Sequence, residues 1–243
     1  MSSENGFFIT GTDTEVGKTL VAGAFIQKMR AQGMRALGFK PVVAGTYQGH
    51  DGKILSEDLE TLRLASELSP DQMVLCPYIL EMPIAPHIAT AKLGINLDLK
   101  IMTDAYEQIR SQAESVIVEG AGGFLVPINA AENLGDLAQK LDLPIIIVVG
   151  MRLGCINHAL LTQEAIRSRQ LKVAGWIANT LSSEMPFLEE NIQYLQSKLK
   201  APLLGVIPAL PETLQKRVNA PYSLEALRFA AQHLSLPKDF RIR

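Results

Sequence analysis

Three observations predict an α/β protein built on a mostly parallel central sheet with helices on both faces. Short apolar runs recur along the chain, helix-like stretches separate them, and a glycine-containing loop joins the first run to the first helix-like stretch. The runs are "GFFIT" (6–10), "ALGFK" (36–40), "SVIVEG" (115–120), "PIIIVVG" (144–150), "KVAGWIAN" (172–179) and "PLLGVIP" (202–208). They are rich in β-branched or aromatic residues, and most contain no polar interruption. Strands covered on both faces of a parallel sheet read this way. Alternation of strand and helix places the chain in the α/β class.

Lys18 to Gln32 reads as a helix, with Leu20, Ala24 and Met29 near one face and Gly33 as its stop. The other helical stretches are Asp98 to Ala113, Asn133 to Leu141, Asn157 to Ser168 and Pro186 to Leu199. "SPDQMVL" (69–75) and "APHIATA" (85–91) predict two further short helices between residues 57 and 93. The segment from about 41 to 97 is a long insertion between strands, where functional loops are often found. No Gly/Ser linker or repeat divides the chain, so residues 1–243 are read as one domain.

Of the 243 residues, 47 % are hydrophobic and 20 % charged, enough for a sizeable core and against disorder. A net charge of −2 without a long basic run argues against nucleic acid as a partner. Cys76 and Cys155 form neither a disulfide framework nor a metal spacing, so a reducing, cytoplasmic setting is expected. His50, His87 and His233 share no metal-like spacing either. The N-terminus "MSSENGFFITG" has an acidic residue and no long apolar run, unlike a signal peptide. The most apolar stretch, "LPIIIVVG", is far short of the roughly 18 residues of a membrane span.

"ITGTDTEVGKTL" (9–20) carries the chemistry. A phosphate-binding loop reads Gly, four residues, Gly-Lys-Ser/Thr. Gly17-Lys18-Thr19 fits its end, but Thr12 stands at the first glycine position and the glycine comes one place earlier, at Gly11. An apolar strand precedes the loop and a helix follows, as such a loop requires. Loop amides and the helix N-terminus then face an anion. Lys18 is placed to reach the β- and γ-phosphates, Thr19 to put its hydroxyl on magnesium, and Gly17 to let the backbone approach. Thr14, Glu15, Val16, Gly17, Lys18, Thr19 and Leu20 are the candidate ATP contacts of this stretch. The plain alternative is a chance strand-turn-helix. Asp13 and Glu15 favour a helix start but would repel phosphate, so they are expected to point away from it or towards a cationic substrate.

A second constellation is "VIVEGAGG" (116–123), an apolar strand ending in a carboxylate and glycines. Ligands of such sheets bind at the carboxyl ends of strands. Glu119 is therefore a magnesium candidate, the alternative being a loop glutamate beside a turn.

"GTDTEVGKT" (11–19), "FKPV" (39–42), "VEGAGG" (118–123), "VVGMRLGCINHALLT" (148–162) and "AGWIAN" (174–179) occur in this order. Together they resemble the dethiobiotin synthase family from about Phe8 to Glu212, thinly over 45–110. The early glycine is that family's own form of the loop. The resemblance implies an ATP- and magnesium-dependent ligase that joins carbon dioxide to 7,8-diaminononanoate and closes a cyclic urea. Lys18 and Lys40 are then the catalytic lysines, and Thr19, Asp58 and Glu119 the metal ligands. "SEDLETL" around Asp58 is equally a good helix start, in which Ser56 or Asp58 only satisfies amides.

The same resemblance implies that Thr12, Lys40, Ala44, Thr46, Gly120 and Gly122 line the substrate. It places the substrate's carboxylate tail on Cys155, Ile156 and Asn157 of a neighbouring subunit, hence a homodimer with sites at the interface. His158, within that segment, reads as a helix-start or packing residue. Asn179, Pro208, Leu210 and Glu212 are the expected adenine-side residues, Asn179 having a strand-end turn as its alternative. One departure stands out: Ala44 replaces the family's serine or threonine, so that either Thr46, two places on, substitutes or one hydrogen bond is missing.

Two other classes compete. A GTPase would show Asn-Lys-x-Asp where residues 179–182 read "NTLS", and a partition-type ATPase switch would have a second loop lysine where Thr12 and Asp13 stand. A non-catalytic nucleotide-binding scaffold is opposed by Lys18, Thr19, Lys40 and Glu119 together.

Overall fold

Residues 6–240, apart from positions 50, 73 and 239, are described by the computed structural model. His50, the extreme N-terminus and the end of the tail at 241–243 lie outside the described residues. The chain runs β1 (Gly6–Gly11), α1 (Lys18–Arg30), β2 (Ala36–Phe39), β3 (Val42–Ala44), β4 (Tyr47–Gln48), β5 (Ile54–Leu55), α2 (Glu57–Ala65), β6 (Tyr78–Leu80) and α3 (Pro86–Leu93). It continues through α4 (Leu99–Arg110), β7 (Ser115–Gly123), α5 (Leu134–Leu141), β8 (Ile145–Met151), α6 (Cys155–Ser168), β9 (Val173–Thr180), α7 (Leu188–Lys198), β10 (Leu203–Ile207) and α8 (Leu224–Gln232).

The six apolar runs become one parallel sheet in the order β10-β9-β8-β1-β7-β2. Side chains alternate across it. Phe8, Val118, Ile147 and Trp176 pack with α4, α5, α6 and α7, while Phe7, Ile9, Ile117, Ile146 and Ile177 pack with α1, α2 and α8. Helices therefore cover both faces, which is why the strand sequences are apolar at successive positions. Burying each such side chain contributes about 1.5–3 kcal/mol, so the sheet is a firm base for the loops at its carboxyl edge. From β1 the connection to β2 runs to one side, and the later strands β8 to β10 lie on the other. The edge beside β1 is thus the crevice where ligands of such sheets sit.

Local chemistry sets several helix starts. Asp98 caps α4 by accepting from the Lys100 amide at 2.7 Å. Asn133 and Asp136 form a reciprocal capping box at α5. Between 57 and 93 there are two helices, as predicted, but one is misplaced: the described residues of "SPDQMVL" form a turn, and α2 lies earlier. Ser69 donates both its amide and its hydroxyl to Gln72 Oε1 at 3.0 Å, closing that turn. Val74 beyond it is buried in the core. The insertion also contains two small sheets, β3 with β6 and β4 with β5, which carry no alternation long enough to read.

Candidate active site

Gly11 and Gly17 are needed for different reasons. At Gly17 φ is 90°, and a Cβ there would sit 2.2 Å from Asn179 Nδ2. At Gly11 a Cβ would meet Val16 Cγ2 at 2.6 Å and Lys18 Nζ at 3.0 Å, so the early glycine is where the loop folds onto its own lysine. Thr12, just past β1, keeps one strand-like contact, its amide donating to Val148 O at 3.0 Å. Lys18 Nζ donates to Asp13 O at 2.9 Å and closes the loop. The Asp13 carboxylate turns outward to pair with Arg152, as expected of an acid beside phosphate. Glu15, by contrast, lines the cavity.

Helices α1 and α2, strand β7 and the end of β2 then deliver five side chains to one point. Lys40, just past β2, is 2 % exposed. Its ammonium donates to Glu119 Oε1 at 2.7 Å and Gly120 O at 3.2 Å, and pairs with Asp58 Oδ2 at 2.8 Å. Thr19 Oγ1 lies 2.7 Å from Glu119 Oε1 and 2.8 Å from Asp58 Oδ1. A hydroxyl has a single proton, so Thr19 donates to one carboxylate while facing the other. Lys18, 7 % exposed, stands beside this group.

Charge explains how the cluster is held. Burial and the neighbouring Lys40 ammonium bring the Lys18 pKa down to about 8. Burial also opposes charge on Lys40, but the Asp58 and Glu119 carboxylates override it and hold Lys40 above the ordinary lysine range. Asp58 likewise is pushed up by burial, then held below the usual carboxylate range by Lys40. Glu119, 0 % exposed, is raised, because burial outweighs Lys40.

Magnesium fits this oxygen set. Glu119 Oε2 is buried and has no hydrogen-bond partner, an arrangement that costs free energy unless something pairs with it. No group of three or more His, Cys, Asp or Glu side chains suited to a metal occurs among the described residues. Two carboxylates and a hydroxyl, with the remaining positions left to water and phosphate oxygens, suit magnesium.

A cavity of about 820 Å³ opens over the cluster. Thr14, Glu15, Gly17, Lys18, Thr19, Lys40, Ala44, Thr46, Asp58, Glu119 and Gly122 all line it. Gly120 contributes its carbonyl to Lys40, while the Val16 and Leu20 side chains are buried in the core and leave only backbone to a ligand. Asn179 lies behind the loop, its amide donating to Val16 O at 2.9 Å. Pro208, Leu210 and Glu212 leave β10 at the same edge, where Ile207 is in register with Asn179. Cys155, Ile156 and Asn157 begin α6 outside this cavity; Cys155 is buried and Asn157 exposed. The His158 amide belongs to the same helix start, bonded to Gly154 O at 3.3 Å. His87 lies in the first turn of α3, and its Nδ1 is buried without a partner.

Sequence reasoning missed Glu57, Thr61, Lys216, Asn219 and Tyr222, which line the same cavity. Nothing after Glu212 carries a motif; only the acidic run 57–60 hinted at a helix start.

A loop that wraps its own lysine at the edge of a parallel sheet, with carboxylates brought to the following threonine, defines a P-loop nucleotide-dependent protein. The AAA domain family matches residues 5–217. Among solved structures, a chain of the MinC:MinD cell division protein complex of Aquifex aeolicus superposes with a TM-score of 0.55 at 16 % identity, covering 94 % of each chain. A ParA family ATPase from Chlorobium tepidum TLS gives 0.55 at 15 % identity, covering 96 % of this chain and 100 % of that one. At such identities these likenesses speak for fold alone. Sequence relatives are far closer. The ATP-dependent dethiobiotin synthetase BioD of Aromatoleum aromaticum is 50 % identical over 86 % of this chain and 92 % of its own. Its namesake in Nitrosospira multiformis is 47 % identical over 86 % and 90 %. The chain belongs to the dethiobiotin synthetase family.

Proposed function

We propose that the protein, acting as one ligase domain, uses ATP to carboxylate 7,8-diaminononanoate with carbon dioxide and close a cyclic urea. The products are dethiobiotin, ADP and phosphate, a step of biotin synthesis. Family membership supports the ATP-dependent ligase activity; the residue assignments rest on the site. The observation that carries them is the meeting of Lys18, Thr19, Lys40, Asp58 and Glu119 at the floor of one cavity.

In this reading one amine of the substrate attacks carbon dioxide to give a carbamate. A carbamate oxygen takes the γ-phosphoryl group, and the second amine then displaces phosphate and closes the ring. Lys18 leaves Asp13 O and neutralises the β- and γ-phosphates. Lys40, held charged by two carboxylates, faces the carbamate and transferred phosphoryl oxygens as charge moves between them. Thr19, Asp58 and Glu119 hold magnesium, which when bound offsets phosphate charge. Thr46 supplies the hydroxyl that Ala44 lacks, a contact worth about 0.5–1.5 kcal/mol. Asn179 and the segment from Pro208 to Glu212 receive the adenine.

The start of α6 receives the substrate's carboxylate from a second subunit. Amides at a helix N-terminus suit that group without a basic side chain; that of Cys155 would have to leave the Arg152 carbonyl, to which it donates at 3.0 Å. Support comes from exposed apolar residues on that helix and just before it: Leu153 is 100 % and Leu161 60 % exposed, the kind of surface a partner covers. No helix among the described residues is long and apolar enough to cross a membrane.

Incubation with ATP, magnesium, bicarbonate and 7,8-diaminononanoate should yield the cyclic urea by mass spectrometry. ATP turnover indifferent to the diamine would instead assign the protein to the switch ATPases, and binding without turnover to the scaffolds.

A further inference from the structure

After β10 the chain turns back across the cavity mouth, and this strap, residues 211–223, is tied to the first turn of α2. Lys216 Nζ pairs with Glu57 Oε2. The Asn219 amide donates to Glu57 Oε1 at 2.6 Å. The Tyr222 amide donates to Thr61 Oγ1 at 3.0 Å, and Thr61 Oγ1 donates to the Glu57 carbonyl at 2.7 Å. Asn219 has φ of 55°, a left-handed conformation that asparagine adopts more readily than most residues. Both oxygens of Glu57 are therefore engaged by the strap.

Ser56, at the N-cap of α2, makes no side-chain capping bond, so the first turn is fixed by what its own side chains meet: Glu57 at the strap, and Asp58 at Thr19 and Lys40. Asp58 is in this uncapped turn, one residue after Glu57, and its carboxylate must meet both Thr19 and Lys40. The Lys216 and Glu57 side chains are 29 % and 28 % exposed, so solvent screens their pairing only in part. The family match ends at residue 217, before Asn219 and Tyr222.

We infer that the strap is the positioning element for Asp58, with Lys216 and Asn219 fixing the start of α2 through Glu57. Lys216 acts through Glu57 and is a positioning residue. The inference rests on the magnesium reading of Thr19, Asp58 and Glu119.

The test reads binding by the full chain, without turnover: affinity for a non-hydrolysable ATP analogue, titrated with magnesium. Wild-type affinity should rise as magnesium is added. Lys216→Ala should keep its magnesium-free affinity and need roughly three- to tenfold more magnesium for half the effect, near the low end for loss of an outer-sphere partner. Lys216→Arg should restore the wild-type titration. Glu57→Gln should shift it like Lys216→Ala, and the double variant should shift it no further, since both changes remove one contact. An unchanged titration in Lys216→Ala overturns the inference. So does a loss of magnesium-free affinity, which would place Lys216 on the nucleotide itself. A wild-type protein indifferent to magnesium would remove the metal reading and the inference together.

Discussion

Lys40 and Asn157 stand at opposite ends of the proposed substrate and in opposite surroundings. Lys40 is buried, charged, and engaged by two carboxylates and a carbonyl. Asn157 is exposed, at a helix start next to a leucine wholly in water at Leu153. A buried charge needs an opposite charge beside it, because unpaired it costs several kcal/mol. The phosphate end must therefore be completed by the fold of one chain. The helix start buries no charge and has no such requirement: its Cys155 amide is paired with the Arg152 carbonyl at 3.0 Å, and Asn157 is exposed. In the proposed reading one end of the site is preorganised within one chain, and the other is left to a second subunit.

The hardest blow to the preorganised end is Lys40→Gln. Product formation in a single turnover at saturating ATP should drop by about 10²–10³, the scale of losing one donor to developing charge. ATP affinity should change far less. Glu119 would be left buried without its cation, so the thermal midpoint should fall as well. A loss of ATP affinity like that of Lys18→Ala, with normal chemistry once saturated, would show that the two lysines do not divide the work.

The contrast between the two ends can be broken directly by mixing variants. Lys18→Ala should disable the phosphate end, and Asn157→Asp should repel the substrate tail. In a heterodimer one composite site has both defects and the other has neither. After subunit exchange, two nearly inactive proteins should recover towards roughly half the wild-type activity per heterodimer, given isologous sharing of sites. Verified heterodimers without recovery would mean that each chain builds its site alone.

Glu119→Gln tests the metal on the preorganised side. It keeps the side chain's shape and removes its charge, and should raise the magnesium needed for half activity by about 10–100-fold. An unshifted titration would leave Glu119 as the counter-ion of Lys40 only.

The smallest effect is in pH. Lys18 titrates near 8 in the fold against 10.5 as its ordinary value. Between those values the unfolded chain binds more protons, so this group's contribution to stability is complete above the upper value and lost as pH falls through the lower. Phosphate demands the protonated lysine, which gives nucleotide affinity the opposite trend. Analogue affinity should fall by up to about tenfold per pH unit above 8, with proton uptake on binding detectable by calorimetry in buffers of different ionisation enthalpy. Flat affinity between about pH 7 and about pH 9.5 would show that Lys18 does not titrate there.

The α/β class, the six sheet strands and the loop were legible because each is a local pattern, and so was Glu119 as the carboxylate of its strand, although β7 runs on to Gly123 and leaves Glu119 mid-strand. Periodicity and a glycine-lysine-threonine run need only neighbouring residues. Asp58 was legible only through the family resemblance, since its own neighbourhood reads as an ordinary helix start. The turn at Ser69–Gln72 was misread as helix because side-chain closure by Gln72 outweighs weak helical periodicity over so short a stretch. The short strands β3 to β6 and helix α8 went unread.

By itself the sequence determined the strand–loop–helix around Lys18, since a loop closed by Asp13 and glycines at positions 11 and 17 is settled within a dozen residues. Tertiary structure alone decided what meets Lys18 there. Asp58 reaches Thr19 across 39 positions, Glu119 reaches Lys40 across 79, and Lys216 reaches Glu57 across 159. Such contacts depend on where whole strands and helices pack, and no local rule of propensity or spacing encodes a meeting between residues so far apart.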